Sequence, residues 1–159
     1  MIDHQTPEGH TALTYAAFRG TTAVNLDGRR VLAVSMLLDR AAKRPNINRE
    51  TRLMGGHTAL TLASRTGRLD VIEALLERGA ELEYETLEGK TALIHAASTG
   101  KWDTVRYLVE MGANVSHRDH QDKSAIEWAR DSNFLGVMRN TLRLLPLLEL
   151  ELALALELV

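Results

Sequence analysis

The sequence contains no cysteine. That excludes a disulfide framework, thiol catalysis and zinc sites built on thiolates. Aromatic residues make up only 4% of the 159 residues while 45% are hydrophobic, so any core must be aliphatic. Charge of one sign is lacking as well: Lys and Arg total 19 against 21 Asp and Glu, a net charge of −2 with a pI of about 6.3. A general nucleic-acid-binding domain carries a basic surplus and a pI above ~9, so no nucleic-acid partner is expected. No run approaches the ~18 uninterrupted apolar residues needed to span a bilayer, so no membrane insertion is expected either. The opening Met1-Ile2-Asp3-His4-Gln5 has no basic-then-apolar signal region. The expectation is a soluble intracellular protein, cytoplasmic or nuclear.

Catalytic motifs are missing too. Gly89-Lys90-Thr91 matches the end of a phosphate-binding loop, but the Gly required five residues earlier is Tyr84. Gly-x-Ser-x-Gly and His-Glu-x-x-His do not occur. His117-Arg118-Asp119-His120 brings two imidazoles and a carboxylate together. Its predicted place at a hairpin tip favours solvated side chains over a metal site. His95 falls at the same inner-helix position as Tyr15, Leu62 and Trp128, which predicts a satisfied packing histidine. Nothing assembles a nucleophile, a base and an orienting group. The reading is a protein with no catalytic residues, no metal and no cofactor.

What is present is a period. Thr58-Ala59-Leu60, Thr91-Ala92-Leu93 and Ser124-Ala125-Ile126 follow one another at intervals of 33 residues. A fixed spacing of this size marks a stacked repeat protein. Each unit opens on a Gly (Gly9, Gly56, Gly89) or on Asp122, residues that tolerate a left-handed turn. Thr11, Thr58, Thr91 and Ser124 follow as candidate helix caps. The small pairs Ala16-Ala17, Ala63-Ser64 and Ala96-Ala97 allow inner helices to approach closely. Val71, Ile72, Leu75 and Leu76, and later Val105, Leu108 and Val109, make the apolar faces of outer helices. Asp70 and Asp103 fall in the first turns of those helices, and Gly79 and Gly112 end them.

These motifs resemble ankyrin repeats. Repeat two carries Gly56-His57-Thr58-Ala59-Leu60, Ala63-Ser64, Gly67 and Gly79-Ala80; repeat three carries Gly89-Lys90-Thr91-Ala92-Leu93, Ala96-Ala97, Gly100 and Gly112-Ala113. The resemblance implies an all-α repeat solenoid of about four helix–loop–helix units joined by hairpin turns. The expected domain spans 5–141, with repeats at about 5–51, 52–85, 86–118 and a degenerate 119–141. Two departures stand out. Ala12, Ala59, Ala92 and Ala125 occupy the place of the family's proline, and Thr14, Thr61, Ile94 and Glu127 that of its histidine. Fewer polar ties between turns are expected in consequence.

Repeat one also departs from the period, since Thr11 to Thr58 is 47 residues, 14 more than 33. If Leu37-Leu38 matches Leu75-Leu76, nine extra residues lie around Thr21 to Arg29 and five around Lys43 to Pro45 and Arg52 to Met54. With Ala41 in place of a capping glycine, the helix there is expected to run on towards Pro45. Residues 19–52 carry a net charge of +5, against Glu81, Glu83, Glu85 and Glu88 in the next hairpin. A partner of complementary polarity would be steered by that contrast. The tail 142–159, rich in Leu, Glu and Ala, alternates like a strand but favours helix by composition. A helix with Pro146 near its first turn is the expectation.

The resemblance further implies a non-catalytic module that binds another protein through its concave face. Carried over position by position, the contact residues are Phe18, Arg19, Arg65, Thr66, Ser98 and Thr99 on the inner helices. On the hairpins they are His57, then Leu87, Glu88 and Lys90, then His120, Gln121 and Lys123. A monomer is expected. The alternative is a structural or scaffold fragment whose Leu-rich tail mediates self-association.

Overall fold

Short helices build the described residues, and Gly67, Gly79, Gly100 and Gly112 follow four of them with positive φ. The computed structural model describes residues 4–19, 22–24, 30–40, 46–51 and 55–131. The helices are α1 (Ala12–Arg19), α2 (Ala33–Arg40), α3 (Ala59–Thr66), α4 (Leu69–Leu76), α5 (Ala92–Ser98), α6 (Trp102–Glu110) and α7 (Ala125–Asp131). Helices α1, α3, α5 and α7 pack side by side as an inner row, while α2, α4 and α6 each lean on the inner helix before them. None of the described helices is long and apolar enough to cross a membrane.

Close packing of the inner row follows from its small residues. Ala16, Ala17, Ala63, Ser64, Ala96 and Ala97 are all buried, which leaves no side chain to hold neighbouring helices apart. Leu60, Leu62, Ile72, Leu75, Ile94 and Leu108 are the largest fully buried apolar side chains. Each contributes about 1.5–3 kcal/mol of transfer free energy. The outer faces match the expected apolar pattern, with Leu76 and Val109 only half buried.

The outer helices end as expected. Gly79 and Gly112 adopt φ of 84° and 88°, and the amides of Ala80 and Ala113 reach back to the carbonyls of Leu75 and Leu108. This is the Schellman closure, which satisfies carbonyls that the helix end would leave bare. Gly9, Gly56 and Gly89 have φ of 85°, 71° and 72°, and Asp122, at 58°, is the one described non-glycine residue with positive φ.

The starts of the inner helices qualify the sequence reading. Thr11 accepts from the amide of Thr14, and the Thr14 hydroxyl accepts in turn from the amide of Thr11. Thr58 and Thr61 form the same reciprocal box, and Ser124 and Glu127 form another. Residues standing where the family has histidine thus close these three helix starts upon themselves. Thr91 is the exception: it makes no capping bond, and its hydroxyl is buried without a partner. Ile94, three residues on, has no polar atom with which to reciprocate.

Neighbouring turns are tied to one another as well. The amide of Leu87 donates to Gly55 and that of His120 to Glu88, bonds that repeat at the 33-residue period. Asn48 accepts from the Glu81 amide, Glu83 from the Asn114 amide, and Glu50 from the Tyr84 hydroxyl at 2.7 Å.

The surplus in repeat one adds an antiparallel ribbon to the helical stack. Strands β1 (Thr22–Val24) and β2 (Arg30–Leu32) pair Thr22 with Leu32, Ala23 with Val31 and Val24 with Arg30. Helix α2 follows directly and buries Val34 and Leu38, one turn apart. It ends at Arg40; residues 41–45 and the tail 142–159, with the helix expected there, lie outside the described residues.

Candidate protein-binding face

The residue after each positive-φ turn residue and the fourth residue of each inner helix form two sets, which meet from repeat two to three and from three to four. The first set is His10, His57, Lys90 and Lys123; the second is Tyr15, Leu62, His95 and Trp128. The rings of His57 and His95 stand 4.6 Å apart between centroids, tilted by 51°. One repeat further on, the Lys90 ammonium lies 4.0 Å from the centre of the Trp128 ring and the Lys123 ammonium 4.7 Å. The indole therefore has two cations close to its ring, an electrostatically favourable arrangement.

Burial sets the electrostatics of this row. Burial holds His57 neutral, helped by the charges of Arg65 and Lys90, and its pKa falls to about 4. Burial likewise lowers His95 to about 3, with His57, Lys90 and Arg65 adding to the effect. The Nδ1 of His57 pairs with the Thr61 hydroxyl at 3.3 Å. The Nε2 of His95 is buried without a partner, so this histidine is packed but not satisfied as expected.

Asp119 was expected to face water and is instead buried. Burial alone would disfavour its charge, yet bonds from the amides of Lys123 and Gln121 and from the Trp128 indole hold its pKa below the ordinary value. Its neighbour His117 is half buried and bonds to the Gly89 carbonyl at 2.8 Å; Arg118 and His120 are exposed. Asp119 thus acts as the internal post of the last turn. The only sequence sign of it was an acid three residues before the positive-φ Asp122, in a run too polar to suggest a buried position.

The expected contact residues differ in how much surface they offer. His57 and Lys90 are 8% and 9% exposed, which makes them part of the packing between turns and leaves little surface to offer. Lys90 is further tied to Glu88 at 2.7 Å, and that bond holds the Glu88 carboxylate below its ordinary pKa. The hydroxyls of Thr66, Ser98 and Thr99 turn back onto helix carbonyls, and Thr99 also reaches the Arg65 carbonyl at 3.0 Å on the neighbouring helix. Leu87, Glu88, His120 and Gln121 stand exposed along the tips, Leu87 at 69%. Lys123 is half buried and bonded to Asp131.

Phe18, Arg19 and Arg65 come together at the first two repeats. The Arg65 guanidinium carbon lies 5.5 Å from the centre of the Phe18 ring, and that of Arg19 lies 5.7 Å from Tyr15. His10 stacks on Phe18 at 6.3 Å. Tyr15, which sequence reasoning placed only as a packing position, is 46% exposed.

Family comparison agrees with this architecture. A family model described as ankyrin repeats in three copies matches residues 1–86, and one for a single ankyrin repeat matches residues 88–120. The chain belongs to the ankyrin repeat family. A search of curated proteins finds no match. Ankyrin repeats are generally protein–protein interaction modules and typically non-catalytic.

Proposed function

We propose that this chain is a non-catalytic, monomeric binding module that grips a partner protein through its concave face. The domain runs from about residue 5 to 141, with repeats at about 5–51, 52–85, 86–118 and 119–141. The observation that supports the reading is the single row made by α1, α3, α5 and α7 beside hairpin tips bonded to one another. Such a row offers side chains at a fixed spacing along a continuous surface. Phe18, Arg19 and Arg65 form one end of the contact area. Leu87, Glu88, His120 and Gln121 line its tips, with Thr66, Ser98, Thr99 and Lys123 between. His57 and Lys90 support the surface from below. Leu87 is the apolar anchor, since an exposed aliphatic side chain beside charged neighbours is where desolvation yields binding energy.

The test is a pull-down from a source lysate with two baits, the wild type and a variant carrying Arg65→Glu and Leu87→Ala. Circular dichroism establishes that both are folded. Capture by the wild type alone is the expected result. Equal capture by both baits would place the binding surface elsewhere and end the proposal. Sedimentation of the full chain should return a single monomeric species at micromolar concentration.

A further inference from the structure

Two arginines on neighbouring inner helices, Arg19 on α1 and Arg65 on α3, have no acidic partner among the described residues. Arg78, Lys90, Arg106, Arg118 and Lys123 each pair with a carboxylate. Arg19 and Arg65 pair with none among the described residues, and helices α1 and α3, which carry them, contain no Asp or Glu. Both arginines lie in the last turn of their helices, which complements the helix dipole. That placement alone would not require an aromatic ring beneath each guanidinium, yet Tyr15 and Phe18 supply one apiece. A guanidinium laid on a ring loses side-chain freedom while its N–H groups stay directed outward in the guanidinium plane. Since α1 and α3 are packed neighbours, the two forks sit on one continuous patch.

We propose that the patch formed by Tyr15, Phe18, Arg19 and Arg65 receives an acidic segment of the partner protein, with carboxylates bound by the two guanidiniums. This specificity rests on the concave-face reading and narrows it. Arg is suited to the task because its donors match a carboxylate in pairs. Tyr15, 46% exposed, and the half-buried Phe18 supply apolar surface for the side chains between the acids. Arginines on aromatic rings also suit nucleic acid, but a net charge of −2 repels a polyanion at long range, whereas a short acidic segment needs only the local field.

The experiment is fluorescence anisotropy of a fluorescein-labelled hexaglutamate peptide titrated with the full chain at low ionic strength. Hexaglutamine and a single-stranded oligothymidylate serve as competitors. Saturable binding is expected that hexaglutamine does not displace. The variant with Arg19→Ala and Arg65→Ala should weaken it by roughly tenfold or more. Arg106→Ala, which removes one positive charge from an exposed position on α6, should leave it unchanged. Arg65→Lys keeps the charge and the folded stem but not the fork, and should weaken binding by about threefold or more. Absence of saturable binding, displacement by hexaglutamine, equal or tighter binding of the oligonucleotide, or an equal loss in Arg106→Ala would each overturn the proposal. If the lysate partner is still captured in a surface-dependent way while hexaglutamate fails to bind, the binding module stands and its acidic specificity falls.

Discussion

The indole nitrogen of Trp128 donates to the carboxylate of Asp119 across 2.6 Å, joining the last inner helix to the turn that precedes it. Asp119 is buried, so each donor it receives offsets a desolvation cost that water would otherwise relieve. Trp128→Phe keeps an aromatic face between Lys90 and Lys123 but removes the donor. A loss of about 1–3 kcal/mol is expected, read as a lower urea midpoint. A double-mutant cycle with Asp119→Asn should show coupling between the two sites; additive losses would mean that the bond contributes nothing of its own.

Acid sensitivity follows from the imidazole pair. His57 and His95 have folded pKa values of about 4 and about 3, below the ordinary 6.5. The unfolded chain therefore takes up protons first, and stability, full above pH ~6.5, falls as the pH drops towards ~4. Each proton contributes a slope of about 1.4 kcal/mol per pH unit in that window. His95→Leu, which copies the residue at the matching position of repeat two, removes one of the two protons and the partnerless Nε2. Its denaturation midpoint should depend more weakly on pH between ~6.5 and ~4 than that of the wild type. An unchanged slope would show that His95 is not held neutral by the fold.

Thr58 and Thr91 occupy equivalent places, with opposite expected responses. Thr58→Val breaks a reciprocal capping box and should cost about 1–2 kcal/mol. Thr91→Val replaces a buried hydroxyl that has no partner, and should be neutral or slightly stabilising in the same urea titration. Similar losses at the two sites would mean that Thr91 finds a capping bond in solution.

Glycine replacements separate strain from crowding. Gly79 and Gly89 both have positive φ, so alanine strains either by about 1 kcal/mol. A β-carbon at Gly79 meets nothing within 4 Å, whereas at Gly89 it stands 2.9 Å from the backbone nitrogen of His120 and 2.6 Å from its ring. Gly89→Ala should lower the melting temperature more than Gly79→Ala, by an increment of about 1 kcal/mol or more. Equal effects would show that the turns do not touch as closely as the geometry says.

The spacing of Thr58, Thr91 and Ser124 made the repeat legible, because a period survives changes in individual residues. Helix ends were legible as well: Gly79 and Gly112 act through φ, a property of one residue in isolation. The caps were only half legible. Whether a threonine caps depends on the residue three positions later, so Thr58 with Thr61 succeeds and Thr91 with Ile94 does not. Burial of His57, Lys90 and Asp119 was illegible, since each is covered by a side chain from an adjoining turn or repeat. The ribbon Thr22–Val24 with Arg30–Leu32 lay within an insertion, where the period gives no guidance. On the contact face, the arginines were named from position alone; the rings of Tyr15 and Phe18 beneath them needed coordinates.

The bonds from Leu87 to Gly55 and from His120 to Glu88 fasten the stack at successive turns, while the Arg78–Asp39 ion pair joins the outer edge of the first two repeats. Like pages bound at a spine, the repeats have little freedom to separate where the turns meet, and more where the outer helices lie. Bending of the molecule is thus directed: it fans the outer helices apart or together while spacing along the bound edge stays nearly constant. The tips thus form a ruler of fixed graduation, even as the stack behind them breathes.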